Sequence, residues 1–185
     1  MRGFAHFIRL ALMGVALTAC GVPIDDLPEP VEIELVETPI AEPSVTEDLQ
    51  AVPIYLVEEG SITSVTRDLP PPRDAASVLE SLLEGTTEPE ERTGLRTSIP
   101  AETMLLGVEM DGRTAHIDLS RDFAAVGGDE EVLAVAQIVL TVTDVDGVDG
   151  VLFYLEGIPT DVPLPNGALA DRPLGRAEYT SLVSP

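Results

Sequence analysis

His116, Asp118 and Ser120 bring together a base, a carboxylate and a hydroxyl, the parts from which a nucleophilic triad is made. On a strand, His116 and Asp118 would lie on one face, one pleat apart, with Ser120 just beyond. Three near neighbours on one strand cannot also supply an exposed nucleophile, an oriented base and an oxyanion hole, so the expected state is a solvated surface histidine. The second group, Asp144-Val145-Asp146-Gly147-Val148-Asp149-Gly150, has the acidic spacing of half a calcium loop. Ligand positions of that frame fall on Val148 and Leu155, which have no side-chain oxygen, so the segment is expected to turn a helix into a strand. Paired carboxylates for glycan cleavage remain open among 33 acids, but a chain with no tryptophan and three tyrosines offers little for sugars to stack on. No catalytic residue, metal ligand set or cofactor is therefore expected.

The third chemistry is acylation. Leu17-Thr18-Ala19-Cys20 matches the lipobox, an aliphatic residue and two small ones before the cysteine that becomes the acylated N-terminus. Arg2 and Arg9 ahead of the apolar run Leu10 to Ala19 give the layout of a signal peptide, whereas a spanning helix would need roughly 20 apolar residues. Cys20 is the sequence's one cysteine. It is expected to be a lipid anchor holding the chain on the outer face of the cell membrane, and neither a redox nor a metal residue.

The elements that would present these groups follow from composition. The 185 residues divide into a 1–19 signal peptide, a 20–51 tether and a 52–185 domain. The net charge is -23, and loss of the leader removes two arginines and no acid. Nucleic acid is thereby excluded as a partner, since it needs a basic surface. Anionic lipid repels the folded part equally, leaving the acyl group to hold the membrane. All ten basic residues are arginine. Between 21 and 51 there are five prolines, nine acids and no base, a composition that cannot bury enough apolar surface to offset its ordering entropy. The alternation Val31, Ile33, Leu35 would suit a strand, but flanking prolines and charge favour a flexible span of roughly 30 Å.

From Val52 the pattern changes. Residues 52–57 and 61–69 predict a hairpin turning at Glu59-Gly60, with Pro53 at an edge. Ala75, Val78, Leu79, Leu82 and Leu83 predict a helix ending at Gly85, and residues 86–101 an irregular link. Asp111-Gly112 suits a type I′ turn between strands 103–110 and 113–119, which sets Met110 opposite Arg113, Val108 opposite Ala115 and Leu106 opposite Ile117. One face is then apolar, and the other carries Glu109, Thr114, His116 and Asp118, a candidate partner-binding face. Val132, Val135, Ala136, Val139, Leu140 and Thr143 predict a second helix over 129–143, then a strand over 151–155 and a proline-rich arm over 157–175. The expected fold is α+β, a two-layer sandwich of a mainly antiparallel sheet with two helices on one face.

The succession Leu79-x-x-Leu82-Leu83-x-Gly85, Ile99-Pro100, Ile117-Asp118-Leu119-Ser120-x-x-Phe123, Ala136-Gln137-Ile138-Val139, Val151-x-Phe153 and Arg176-x-x-Tyr179 resembles the GerM-type (GerMN) domain. That domain is known from sporulation and germination lipoproteins and from an actinobacterial envelope lipoprotein family associated with a sensor kinase. Here it occurs once instead of twice, and Gly85-Thr86 replaces the family's Gly-Pro. The resemblance implies a non-catalytic extracytoplasmic interaction or assembly domain, akin to ring-building folds, acting in envelope, sporulation or germination processes. Asp118, Ser120, Phe123 and Gln137 match favoured positions and are expected to be structural, with Gln137 capping a buried backbone group. An envelope protein is the expected partner. Self-association is open to such a fold, but the charge opposes it unless cations or a basic partner intervene. The competing expectation is a protein that binds or modifies peptidoglycan.

Overall fold

The computed structural model describes residues 48–184; Cys20 with its lipobox, and the alternation at Val31 to Leu35, lie outside the described residues. Strands β1 (Gln50–Glu58) and β2 (Ser61–Leu69) pair antiparallel, with Glu58 opposite Ser61 across Glu59-Gly60. The helix α1 (Ala75–Leu83) follows, its first turn capped by the Asp74 carboxylate, which accepts the Ser77 N–H at 3.0 Å. The link beyond Gly85 contains a short helix not expected from composition, α2 (Glu88–Arg92).

A second sheet has the order β3 (Leu105–Asp111), β4 (Thr114–Leu119), β5 (Gly150–Leu155) and β6 (Ile158–Pro159). Here β4 and β5 run parallel and the other pairs antiparallel. A parallel pair needs a crossover, and α3 (Asp129–Val142) supplies it. The arm forms a small ladder of β7 (Val162–Pro163) and β8 (Leu169–Ala170) and ends in α4 (Arg176–Tyr179). The architecture is α+β with mainly antiparallel pairing, but the first hairpin is a ladder of its own.

The core is organised on α3. Every residue from Leu133 to Val142 is buried, as befits a helix apolar nearly all round, and it packs on β1, α1, β5 and β7. Two polar residues in that run answer a specific need. In β1, residues 53, 55 and 57 direct their backbone away from β2, following the alternation of an antiparallel ladder. Val57 exchanges hydrogen bonds with Arg96, at 2.8 and 2.9 Å. Tyr55 donates its N–H to Thr141 Oγ1 at 3.1 Å, and its carbonyl accepts from Gln137 Nε2 at 2.9 Å. Pro53 has no N–H to satisfy. Gln137 and Thr141, one helical turn apart, thus close the outer edge of β1, as a cap at Gln137 would require.

The β3–β4 register differs from the sequence expectation. Asp111 pairs with Thr114, Met110 with Ala115 and Val108 with Ile117, so the two turn residues are Gly112 and Arg113. Gly112 alone has positive φ, at 60°, which suits a turn with glycine first. The competing force is long-range: in the turn, Arg113 accepts the Asp149 N–H on its carbonyl at 2.8 Å and sets its Nη2 2.6 Å from the Asp149 carboxylate. Each strand slips by one residue in opposite senses, so the faces are kept. A bulge between Leu105 and Gly107 then turns Leu106 outward, leaving it 50% exposed. The apolar face is accordingly incomplete on β3, where Met104 and Met110 are also exposed, and complete on β4, where Ala115, Ile117 and Leu119 are buried. Replacing Gly112 by alanine meets no neighbouring atom, so the expected loss is conformational, about 1 kcal/mol. A fall in Tm of a few degrees would register it, and no fall would mean that the turn relaxes.

Candidate functional site

The outer face of the second sheet forms a shallow concavity of about 340 Å³, lined by Leu106, Glu109, His116, Asp118, Tyr154 and Gly157 among others. Three of the four residues assigned to that face from sequence, Glu109, His116 and Asp118, meet there. The fourth, Thr114, stands beside the turn, paired with Asp111 and Gly150, and does not line it. Tyr154 was not singled out by the sequence. It arrives through parallel pairing, opposite Asp118 on β5, and the only local sign of it is alternation against the buried Val151 and Phe153.

His116, Tyr154 and Asp118 in the concavity are already engaged. The imidazole of His116 stacks on the Tyr154 ring with centroids 5.6 Å apart, and the Tyr154 hydroxyl lies 3.3 Å from Nδ1. Asp118 accepts the Gly157 N–H at 2.9 Å and so fixes the turn between β5 and β6. Ser120 is turned elsewhere: its hydroxyl accepts the Met104 N–H at 3.0 Å and donates to Asp122 at 3.1 Å. Phe123 is buried against Phe153, their centroids 6.2 Å apart. The three triad-like side chains therefore form no nucleophile–base pair.

Asp144 and Asp149 of the acidic loop are tied down as well. Asp144 accepts from the Tyr55 hydroxyl at 2.8 Å and from Arg176, whose guanidinium lies over the Tyr55 ring, 5.0 Å from its centroid. Burial raises the Tyr55 phenol above its ordinary value, and the hydrogen bond to Asp144 adds to this. This cluster joins β1, the end of α3 and α4. The exposed Arg113 guanidinium holds the Asp149 carboxyl below the ordinary range. A second, larger hollow of about 690 Å³ adjoins this loop and the start of α1. Of its three carboxylates, Asp74 caps α1, Asp144 belongs to the Tyr55 cluster and Asp146 makes no hydrogen bond among the described residues.

Electrostatically the domain has one sign. Each arginine of the described residues faces a carboxylate: Arg67 with Glu90, Arg73 with Asp48, Arg92 with Glu88, Arg96 with Glu130, Arg113 with Asp149, Arg121 with Glu156, Arg172 with Glu178 and Arg176 with Asp144. Most of these pairs are exposed and contribute little to stability. Their consequence is for recognition: among the described residues no cation is left unpaired, while many acids are. No helix of the described residues is long and apolar enough to cross a membrane.

The sequence profile of the family described as Germane: Sporulation and spore germination matches residues 53–161. Among solved structures, the tandem GerMN domains of the sporulation protein GerM from Bacillus subtilis are similar at 21% identity with a TM-score of 0.57. That likeness covers 69% of this chain and 46% of the tandem structure, so the chain spans less than half of its length. The first GerMN domain of the same protein is similar at 22% identity, TM-score 0.54, over 69% of this chain and 98% of that domain. No curated protein sequence matches.

Proposed function

The chain belongs to the Germane family of sporulation and spore germination domains, and from that membership we propose a lipid-anchored extracytoplasmic domain that docks another envelope protein and breaks no bonds. The observation that carries this reading is the state of the outer sheet face. It is open and concave, yet His116, Asp118 and Ser120 each hold up local structure and are not aimed at a common point. The process that the family name supports is sporulation or spore germination. The anchor is Cys20, on the strength of its lipobox and leader. Acyl chains contribute about 0.8 kcal/mol per buried methylene, and two or more hold a protein durably on a bilayer.

A second reading has one observation in its favour. The His116–Tyr154 stack lines a hollow of about 340 Å³, large enough for a sugar ring, so the face offers a place for peptidoglycan. Crosslinking the full-length protein in membranes, alongside binding and turnover assays with muropeptides, separates the two. A protein partner without turnover supports docking; turnover, or saturable muropeptide binding lost in Tyr154→Ala, supports the second reading. For the anchor, Cys20→Ser is expected to move the protein from the membrane pellet to the soluble fraction and to abolish palmitate labelling. A variant that still sediments with membranes would contradict it.

A further inference from the structure

We propose that the free edge of β3 is the docking site, and that its occupant is an extended, cationic segment of the partner, added to the sheet as a further strand; this rests on the docking reading above. Among the described residues, nothing pairs with the outer side of β3. Because Asp111 and Thr114 close the hairpin, Val108 and Met110 direct their N–H and C=O groups away from β4. Among the described residues, no hydrogen bond reaches them. By contrast, the outer edge of β1 is closed by Gln137, Thr141 and Arg96, so the described residues seal one strand edge and leave another open.

The side chains along this edge specify the chemistry of the occupant. Met104, Leu106 and Met110 are exposed at 59%, 50% and 49%. Such apolar exposure beside an open ladder suits a strand with alternating residues. Glu109 and Asp111 share the His116 face, and no arginine of the described residues stands unpaired to offset them. A second copy of this chain is the poorer occupant. Antiparallel pairing of β3 with itself would bring Glu109 and Asp111 of one copy beside those of the other, and like charges across a ladder repel. An arginine- or lysine-bearing strand meets the same carboxylates with attraction.

The full-length lipoprotein in neutral phosphatidylcholine nanodiscs provides the test. The probe is a fluorescent heptapeptide of alternating arginine and valine, set against versions with valine replaced by proline and with arginine replaced by glutamate. The alternating basic peptide should bind roughly tenfold or more tightly than the proline version, which has the same charge but cannot pair. Met110→Pro removes an outward N–H and keeps the pairing with β4; it should weaken binding by the same factor. Should that variant melt early, the double variant Glu109→Lys with Asp111→Lys leaves the backbone untouched. It should lose the basic peptide and gain the acidic one. Equal binding of the proline peptide, unchanged binding by either variant, or no binding at all overturns the edge site. So does a concentration-dependent dimer that Met110→Pro dissolves, since a second copy would then be the occupant. If the charge-reversed variant still crosslinks to the same membrane partner as the wild type, docking stands and the edge site falls; if the wild type captures no protein, docking itself falls.

Discussion

Gln137→Leu is expected to lower the unfolding free energy by about 3 kcal/mol, because two buried backbone groups lose their partner while the side-chain volume hardly changes. The amide is fully buried. Its Nε2 donates to the Tyr55 carbonyl at 2.9 Å and its Oε1 accepts the Ser98 N–H at 2.8 Å. Leucine would leave both groups in the core with no water to replace the bond, at about 1 to 3 kcal/mol each. Thr141→Val should cost less, since only the Tyr55 N–H is orphaned, and the double variant should fall short of the sum because both residues hold the same stretch of β1. Urea unfolding is the measurement. A lower midpoint with an unchanged slope is the expected result, and a change under about 0.5 kcal/mol would show that the amide holds nothing.

Arg67→Met should cost about 2 to 3 kcal/mol at neutral pH, through a different mechanism. Arg67 reaches from β2 into the junction of α1 and α2, where Nε and Nη2 donate to the two oxygens of Glu90 at 3.0 and 2.7 Å, and Nη2 also donates to the Gly85 carbonyl at 2.6 Å. The Ser81 carbonyl accepts from Nη1. A cation among the last carbonyls of a helix is favourable in itself, but the larger loss is the abandoned carboxylate. The side chains of Arg67 and Glu90 are 11% and 13% exposed, and breaking such a pair from one side leaves a poorly solvated charge. Burial raises the Glu90 carboxyl, yet Arg67 and the Thr87 N–H outweigh it and hold the group below its ordinary value. A depressed carboxylate stabilises the fold above its unfolded pKa, about 4.3 for glutamate, and that contribution is lost as pH falls through the folded value. The difference between wild type and Arg67→Met should therefore be full at pH 7 and shrink at about pH 3. A gap that stays constant across that range would mean that the side chain stabilises by packing alone.

The same two residues mark the reach of local reading. Gln137 stands out in the sequence as a polar residue in an apolar helix, and a capping role was within reach; that the group it caps is Tyr55, on a strand 82 positions away, was not. Arg67 gives no such sign, since an arginine on a half-exposed strand is ordinary and its partners come from a link that composition reads as irregular. The sheet face was readable because strand alternation is local, and a slip of one residue on each strand keeps its parity. The register was not, since the Asp149 contacts that favour Gly112-Arg113 as the turn lie 36 residues away from Arg113.

By itself the sequence determined the strands and helices with a strong period, the one-signed charge, the lipobox-like run ending at Cys20 and the face carrying Glu109, His116 and Asp118, because each depends on neighbours in the chain or on composition. Tertiary structure alone decided that Tyr154 joins His116, that Leu106 turns outward at a bulge, that among the described residues the edge of β1 is sealed while that of β3 stays open, and that every described arginine has an acid beside it. Those outcomes depend on which distant segments come to lie together, and they are fixed when buried hydrogen-bonding groups and charges must all find partners within a single packing.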